Sequence, residues 1–98
     1  MEMLTTLSNY FPMSVFTGKC LVFISEEYRV ELTEHTSMDF SGAKPVPAFI
    51  RVKVFRNETG KFKQTHIEDF QFAEPGVLAE RIERYVQLAI NRNIREMI

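Results

Sequence analysis

The last quarter of the chain imposes the strongest constraint on what it can fold into. Leu78, Ile82, Tyr85, Val86, Ala89, Ile90, Ile94 and Met97 recur at steps of three and four, with Glu80, Glu83, Arg84, Gln87, Asn91, Arg95 and Glu96 between them. That period collects the apolar side chains into one stripe of a helix and leaves the opposite face to water. Pro75 fits the first helical position, where a missing N–H and a fixed φ do no harm. At ~1.5 Å per residue the helix reaches roughly 35 Å if it runs to the end. That is about the width of a domain of this size, so its last turns overhang. A helix of this kind is stable only when its stripe is buried, so the preceding residues must supply an apolar surface.

Those residues read as strands. Met3, Leu4, Leu7, Tyr10 and Phe11 have near-helical spacing before Pro12 stops them, which predicts a short N-terminal helix or ordered arm. Residues 13–16 form a short strand and Thr17-Gly18 a turn. The strand over 19–25 has an apolar centre, Cys20-Leu21-Val22-Phe23-Ile24, without alternation, as expected where both faces of a sheet are covered. After a turn at Ser25-Glu26-Glu27, residues 28–35 alternate: Tyr28, Val30 and Leu32 point one way, Arg29, Glu31, Thr33 and His35 the other. Residues 36–47 hold Ser37, Ser41, Gly42, Pro45 and Pro47 and read as irregular, anchored by Met38 and Phe40.

Residues 48–67 read as a hairpin turning at Asn57-Glu58-Thr59-Gly60. Pairing Arg56 with Lys61 sets Phe55 against Phe62, Lys53 against Gln64, Arg51 against His66 and Ile50 against Ile67. One face then carries Ile50, Val52, Val54, Thr65 and Ile67 toward the helix. The other carries Phe49, Arg51, Lys53, Phe55, Phe62, Gln64 and His66. A one-residue bulge in either strand would change these pairings. The expected fold is α+β: an antiparallel four- to five-stranded meander packed on one long C-terminal helix, with a short N-terminal helix or arm, in a single domain over 1–98. Four strands followed by one helix is an order that resembles single-stranded DNA-binding coactivator domains, a likeness of element order that carries over no residue.

Hydrophobic residues at 45% and charged residues at 26% match a globular protein rather than a disordered one. The single Cys, Cys20, excludes an internal disulfide and reads as a small buried hydrophobe, which fits a reducing compartment. No apolar run approaches the roughly 20 residues of a membrane span. Residues 1–5 lack the basic and apolar regions of a signal peptide. A cytoplasmic location without membrane contact is therefore expected.

The hairpin holds five of the chain's 12 Lys and Arg residues and one acid, a net +4 (five minus one) against −1 for the whole chain. Phe49, Phe55 and Phe62 beside Arg51, Lys53 and Lys63 suggest a platform that stacks bases and meets phosphates, the alternative reading of a single-stranded nucleic-acid-binding module. Against it, Arg56, Lys61 and Lys63 fall on the opposite face from Arg51 and Lys53. His35 and His66 have no nucleophile at a spacing that triad logic requires. No metal-ligand spacing stands out around His35, Glu34 and Asp39 or around His66, Glu68 and Asp69, and the last two acids suit the start of the helix. No catalytic residue, cofactor or metal is expected. The favoured reading is a small non-enzymatic binding protein of accessory, adaptor or inhibitor type, acting through protein–protein contacts or as a homodimer.

Phe49, Arg51, Lys53, Phe55, Phe62 and His66 form the candidate binding surface. One helix covers one side of a sheet, so the second face needs another cover. The N-terminal segment with Leu4, Leu7, Tyr10 and Phe11 ranks first for that place and a second copy of the chain next. Ile90, Ile94, Met97 and Ile98 on the helix overhang are the candidate dimer contacts.

Overall fold

The computed structural model describes residues 2–35 and 48–96. The expected irregular stretch at 36–47, with Met38 and Phe40, lies outside them. Helix α1 (Glu2–Ser8) is followed by strands β1 (Val15–Phe16), β2 (Cys20–Ile24), β3 (Tyr28–His35), β4 (Phe49–Glu58) and β5 (Lys61–Gln71), and then by helix α2 (Pro75–Glu96). The strands form one antiparallel sheet in the order β1-β2-β3-β4-β5, the meander expected from the sequence.

Local chemistry sets each boundary. Ser25 Oγ accepts the N–H groups of Glu27 and Tyr28 at 3.3 and 3.2 Å and turns the chain from β2 into β3. Glu74 caps α2: its carboxylate accepts the N–H groups of Gly76 and Val77, both at 3.2 Å, ahead of Pro75 in the first turn. Glu68 and Asp69, expected to complement that helix end, lie in β5 instead.

The β4–β5 turn is tighter than its sequence suggests. Glu58 pairs with Lys61, so the loop is Thr59-Gly60 alone. Both residues have positive φ, 52° and 89°, which is the type I′ geometry that matches the strand twist. Asn57 Oδ1 accepts the Gly60 N–H at 3.0 Å and closes the turn.

The pairing of β4 with β5 corrects the expected register. Phe55 faces Gln64, Lys53 faces Ile67, Arg51 faces Asp69 and Ile50 faces Phe70. Two causes combine: the shorter loop, and a bulge between Val54 and Phe55 at which Val54 pairs with His66 and Thr65 is left without a partner. The extra residue inverts the alternation beyond it. Ile67, expected toward the helix, points to the opposite face, and His66 makes the reverse change.

The core lies on one side of the sheet. Leu21, Val30, Leu32, Ile50, Val52 and Val54 are fully buried beneath Leu78 and Ile82 of α2 and Leu4 and Leu7 of α1. Each such side chain contributes ~1.5–3 kcal/mol on burial. Helix α1 is fastened to the same face, for the Leu4 N–H donates to Glu34 Oε1 of β3 at 2.9 Å. The N-terminal segment therefore shares the covered face with α2 and does not cover the second one.

Thr59 is a β-branched residue in the left-handed region, a conformation that asparagine adopts with less strain. Thr59→Asn creates the Asn-Gly pair preferred in this turn and is expected to raise stability by about 1 kcal/mol, read from the urea unfolding midpoint.

Candidate functional site

The sheet has one covered face and one open face. Among the described residues both helices pack on the first. Strand pairing places on the second Val22 and Ile24 of β2, Arg29, Glu31, Thr33 and His35 of β3, Phe49, Arg51, Lys53 and Phe55 of β4, and Phe62, Gln64, Ile67 and Asp69 of β5. Five of the six residues of the expected binding surface thus share one face.

The sixth, His66, is a correction. The bulge turns it to the helix side, where it lines a groove of about 330 Å³ with Tyr85, Leu88 and Arg92 of α2. Its ring Nδ1 lies 2.8 Å from Thr65 Oγ1. That hydroxyl also donates to the Val54 carbonyl at 3.2 Å and accepts from Asn93 Nδ2 at 3.0 Å. A hydroxyl has one proton and two acceptor positions, so the set closes when His66 carries its proton on Nδ1.

The charges of the open face pair with one another. Arg51 grips Asp69 across the strands with two bonds, Nε to Oδ1 at 2.9 Å and Nη2 to Oδ2 at 3.1 Å. Its guanidinium carbon stands 5.4 Å from the centre of the Phe49 ring. His35 stacks nearly parallel on the same ring, at 4.9 Å and 9°. His35 Nε2 is 2.8 Å from Thr33 Oγ1. Arg29 Nε donates to Glu31 Oε2 at 2.8 Å, and Glu31 also faces Lys53 across the ladder. The hydrogen bond from Arg51 holds the Asp69 carboxyl below its ordinary range, with the nearby charges of Arg51 and His35 adding to the effect. The same bond raises the Arg51 pKa. Elsewhere on the hairpin Arg56 pairs with Glu58 and lowers the pKa of its carboxyl.

Apolar groups flank this charged centre. Ile67 is 49% exposed, Phe62 38% and Ile24 61%, whereas Val22 on the same face is buried. The run Cys20–Ile24 is therefore enclosed at its middle and open at its end. Cys20 is half-buried and in no disulfide.

The expected dimer contacts fare differently. Ile90 belongs to the core and is only 8% exposed, so it is committed to its own chain. Met97 and Ile98, and the side chain of Ile94, lie outside the described residues. Sequence reading missed Asp69 as the partner of Arg51, because the strand was ended at Ile67 while β5 continues to Gln71. The visible signal was the alternation resumed by Ile67, Asp69 and Gln71. It also missed an apolar cleft of about 260 Å³ on the helix side, between Tyr10, Phe11 and Met13 after α1, Phe23 of β2 and Val86 of α2. The Phe11 and Phe23 rings meet there at 5.3 Å.

Among the described residues no three His, Cys, Asp or Glu side chains are grouped to hold a metal ion, and no helix is long and apolar enough to cross a membrane. Comparison with protein-family models, curated proteins and solved structures finds no match.

The Asp69 carboxyl titrates below its unfolded value, so its contribution to stability is present above the ordinary carboxylate range and lost as pH falls through the lowered folded value. A carboxyl-carbon NMR titration is expected to place its midpoint below that of an unfolded peptide and to move it upward in Arg51→Gln. The stability difference between the two proteins shrinks over the same acid range.

Proposed function

We propose that the chain is a small non-enzymatic binding protein whose open sheet face docks on another protein. One observation carries this reading: both arginines of that face are committed to acids of the same face. Arg51 is held at both ends of the Asp69 carboxylate and Arg29 by Glu31. Counting Arg29, Arg51 and Lys53 against Glu31 and Asp69 leaves three minus two, a net +1.

A surface that follows single-stranded nucleic acid works by offering cations to phosphates beside stacking rings. Here the rings are present but the guanidinium groups are occupied, and Phe49 is already in contact with both His35 and Arg51. What remains accessible is apolar side chain, with Lys53, around a polar centre whose arginines are already paired. That pattern suits a protein interface, in which aromatic and aliphatic anchors bury beside satisfied polar groups. Each histidine ring nitrogen that faces a hydroxyl meets a threonine of its own strand, an arrangement that positions rings rather than activating a nucleophile.

Photocrosslinking tests this reading. A photoreactive phenylalanine analogue at Phe62 is expected to give in cells a discrete protein adduct that differs in mass from two crosslinked copies of the chain. The same group at the exposed Arg81 of α2 gives none, and Phe55→Asp abolishes the Phe62 adduct. A fluorescent single-stranded oligonucleotide at low salt stays unbound. Tight oligonucleotide binding that weakens when Arg51 and Lys53 become Glu, or adducts that disappear on nuclease treatment, would refute the protein-docking reading in favour of the nucleic-acid one.

A further inference from the structure

We infer that β5 is a self-pairing edge, on which a second copy of the chain adds its own β5 antiparallel about a two-fold axis between Thr65 and His66. Strand β5 ends the sheet and is 11 residues long, so among the described residues its outer side presents unpaired backbone groups.

Which groups point outward follows from bonds at the two ends of the strand. The Phe72 N–H bonds inward to the Ala48 carbonyl, so by alternation the backbone groups of Gln71, Asp69 and Ile67 face outward. The Asn57 N–H bonds to the Glu27 carbonyl, away from β5, so Phe62 opposite it faces outward, and Gln64 two residues on does the same. The outward set is even-numbered before the bulge and odd-numbered after it.

That change of parity selects one register. Gln64 opposite Ile67 of the second copy, and Phe62 opposite its Asp69, put outward residues against outward residues on both strands. The same register matches the faces. Phe62, Gln64, Ile67 and Asp69 all lie on the open face, whereas Lys61, Lys63, Glu68 and Phe70 lie on the helix side. Sliding one strand by a single residue sets open-face side chains against helix-side ones. Sliding it by two sets the bulge of one copy against regular strand of the other.

Charge agrees with this geometry. The cations Lys61 and Lys63 lie at the start of β5 and the anions Glu68 and Asp69 toward its end. Antiparallel pairing in the selected register brings Lys63 opposite Glu68 of the second copy, twice by symmetry. Parallel pairing brings like charges together. Charged residues on an edge strand oppose chance pairing with other strands. Their order here admits one partner, the same strand reversed. Beside the axis, on the helix side, stands Leu88, 66% exposed in the groove that holds His66, and the two-fold sets its two copies on the same side of a continuous ten-stranded sheet.

The test is independent of what the open face binds, because Lys63 and Glu68 point to the helix side. Light scattering of the full chain should give twice its 11.5 kDa mass. Lys63→Glu and Glu68→Lys should each raise the dimer dissociation constant about tenfold, by setting two like-charge pairs across the axis. The double variant restores the opposite charges and the dimer with them. In the unsubstituted protein the outward amides of Gln64 and Ile67 gain protection from hydrogen exchange as concentration rises, a readout that needs no variant to fold. A monomer at every concentration, a dimer that neither single variant weakens, or exchange at Gln64 and Ile67 that ignores concentration would overturn the inference.

Discussion

Thr65 sits in the sheet without a partner on β4, and its hydroxyl joins three elements through the Val54 carbonyl, the His66 ring and the Asn93 amide. Both faces of the sheet depend on this junction. Because the strand gains one residue there, Phe70 turns toward the helix and meets the Tyr85 ring edge-on at 5.6 Å, while Ile67 and Asp69 turn toward the open face. Asn93 is buried, and among the described residues its Oδ1 has no hydrogen-bond partner, an omission that costs about 1–3 kcal/mol for a neutral polar group. The helix accepts that cost in holding the bulge where it is. A bulge shifted by one residue would send a different set of side chains into the core.

The two faces solve opposite problems. The helix side is a packed hydrophobic core in which removal from water provides the stability. On the open side, where side chains remain in contact with water, polar groups are matched laterally: Arg51 with Asp69, Arg29 with Glu31, Thr33 with His35. Lateral matching keeps long side chains from lying across the apolar positions between them. It also leaves the face polar enough to be displayed without collapsing onto the core.

How far the sequence reveals this depends on whether the signal is periodic. The α2 stripe, the alternation of Tyr28, Val30 and Leu32, and the strand order repeat a pattern along the chain, and each appears in the structure. The bulge is a single interruption of a period, and nothing in Gln64-Thr65-His66 marks it, because its cause is a contact from Asn93 at the far end of α2. The misplacement of His66 and Ile67 descends from it, whereas Asp69 escapes because β5 runs four residues beyond the expected hairpin. The placement of α1 was illegible for a related reason. An amphipathic segment shows that it needs a sheet face and is silent on which face, and the choice rests on the long-range bond from Leu4 to Glu34.

Helix α1 has one more consequence. Seven residues are too few to hold a helix in water, so its order depends on Leu4, Leu7 and that bond to β3. Helix α2, three times as long and capped by Glu74, is held by a much longer buried stripe, Leu78, Ile82, Val86, Ala89 and Ile90. The core is therefore built in two tiers. The meander and α2 supply most of the buried side chains, and a segment held by as few contacts as α1 is the kind that opens locally at a small free energy. Its opening uncovers apolar surface on the helix side of β2 and β3, beside the cleft of Phe11 and Phe23. Behind its displayed face the protein thus holds a second apolar surface, one that α1 alone screens at that end of the sheet.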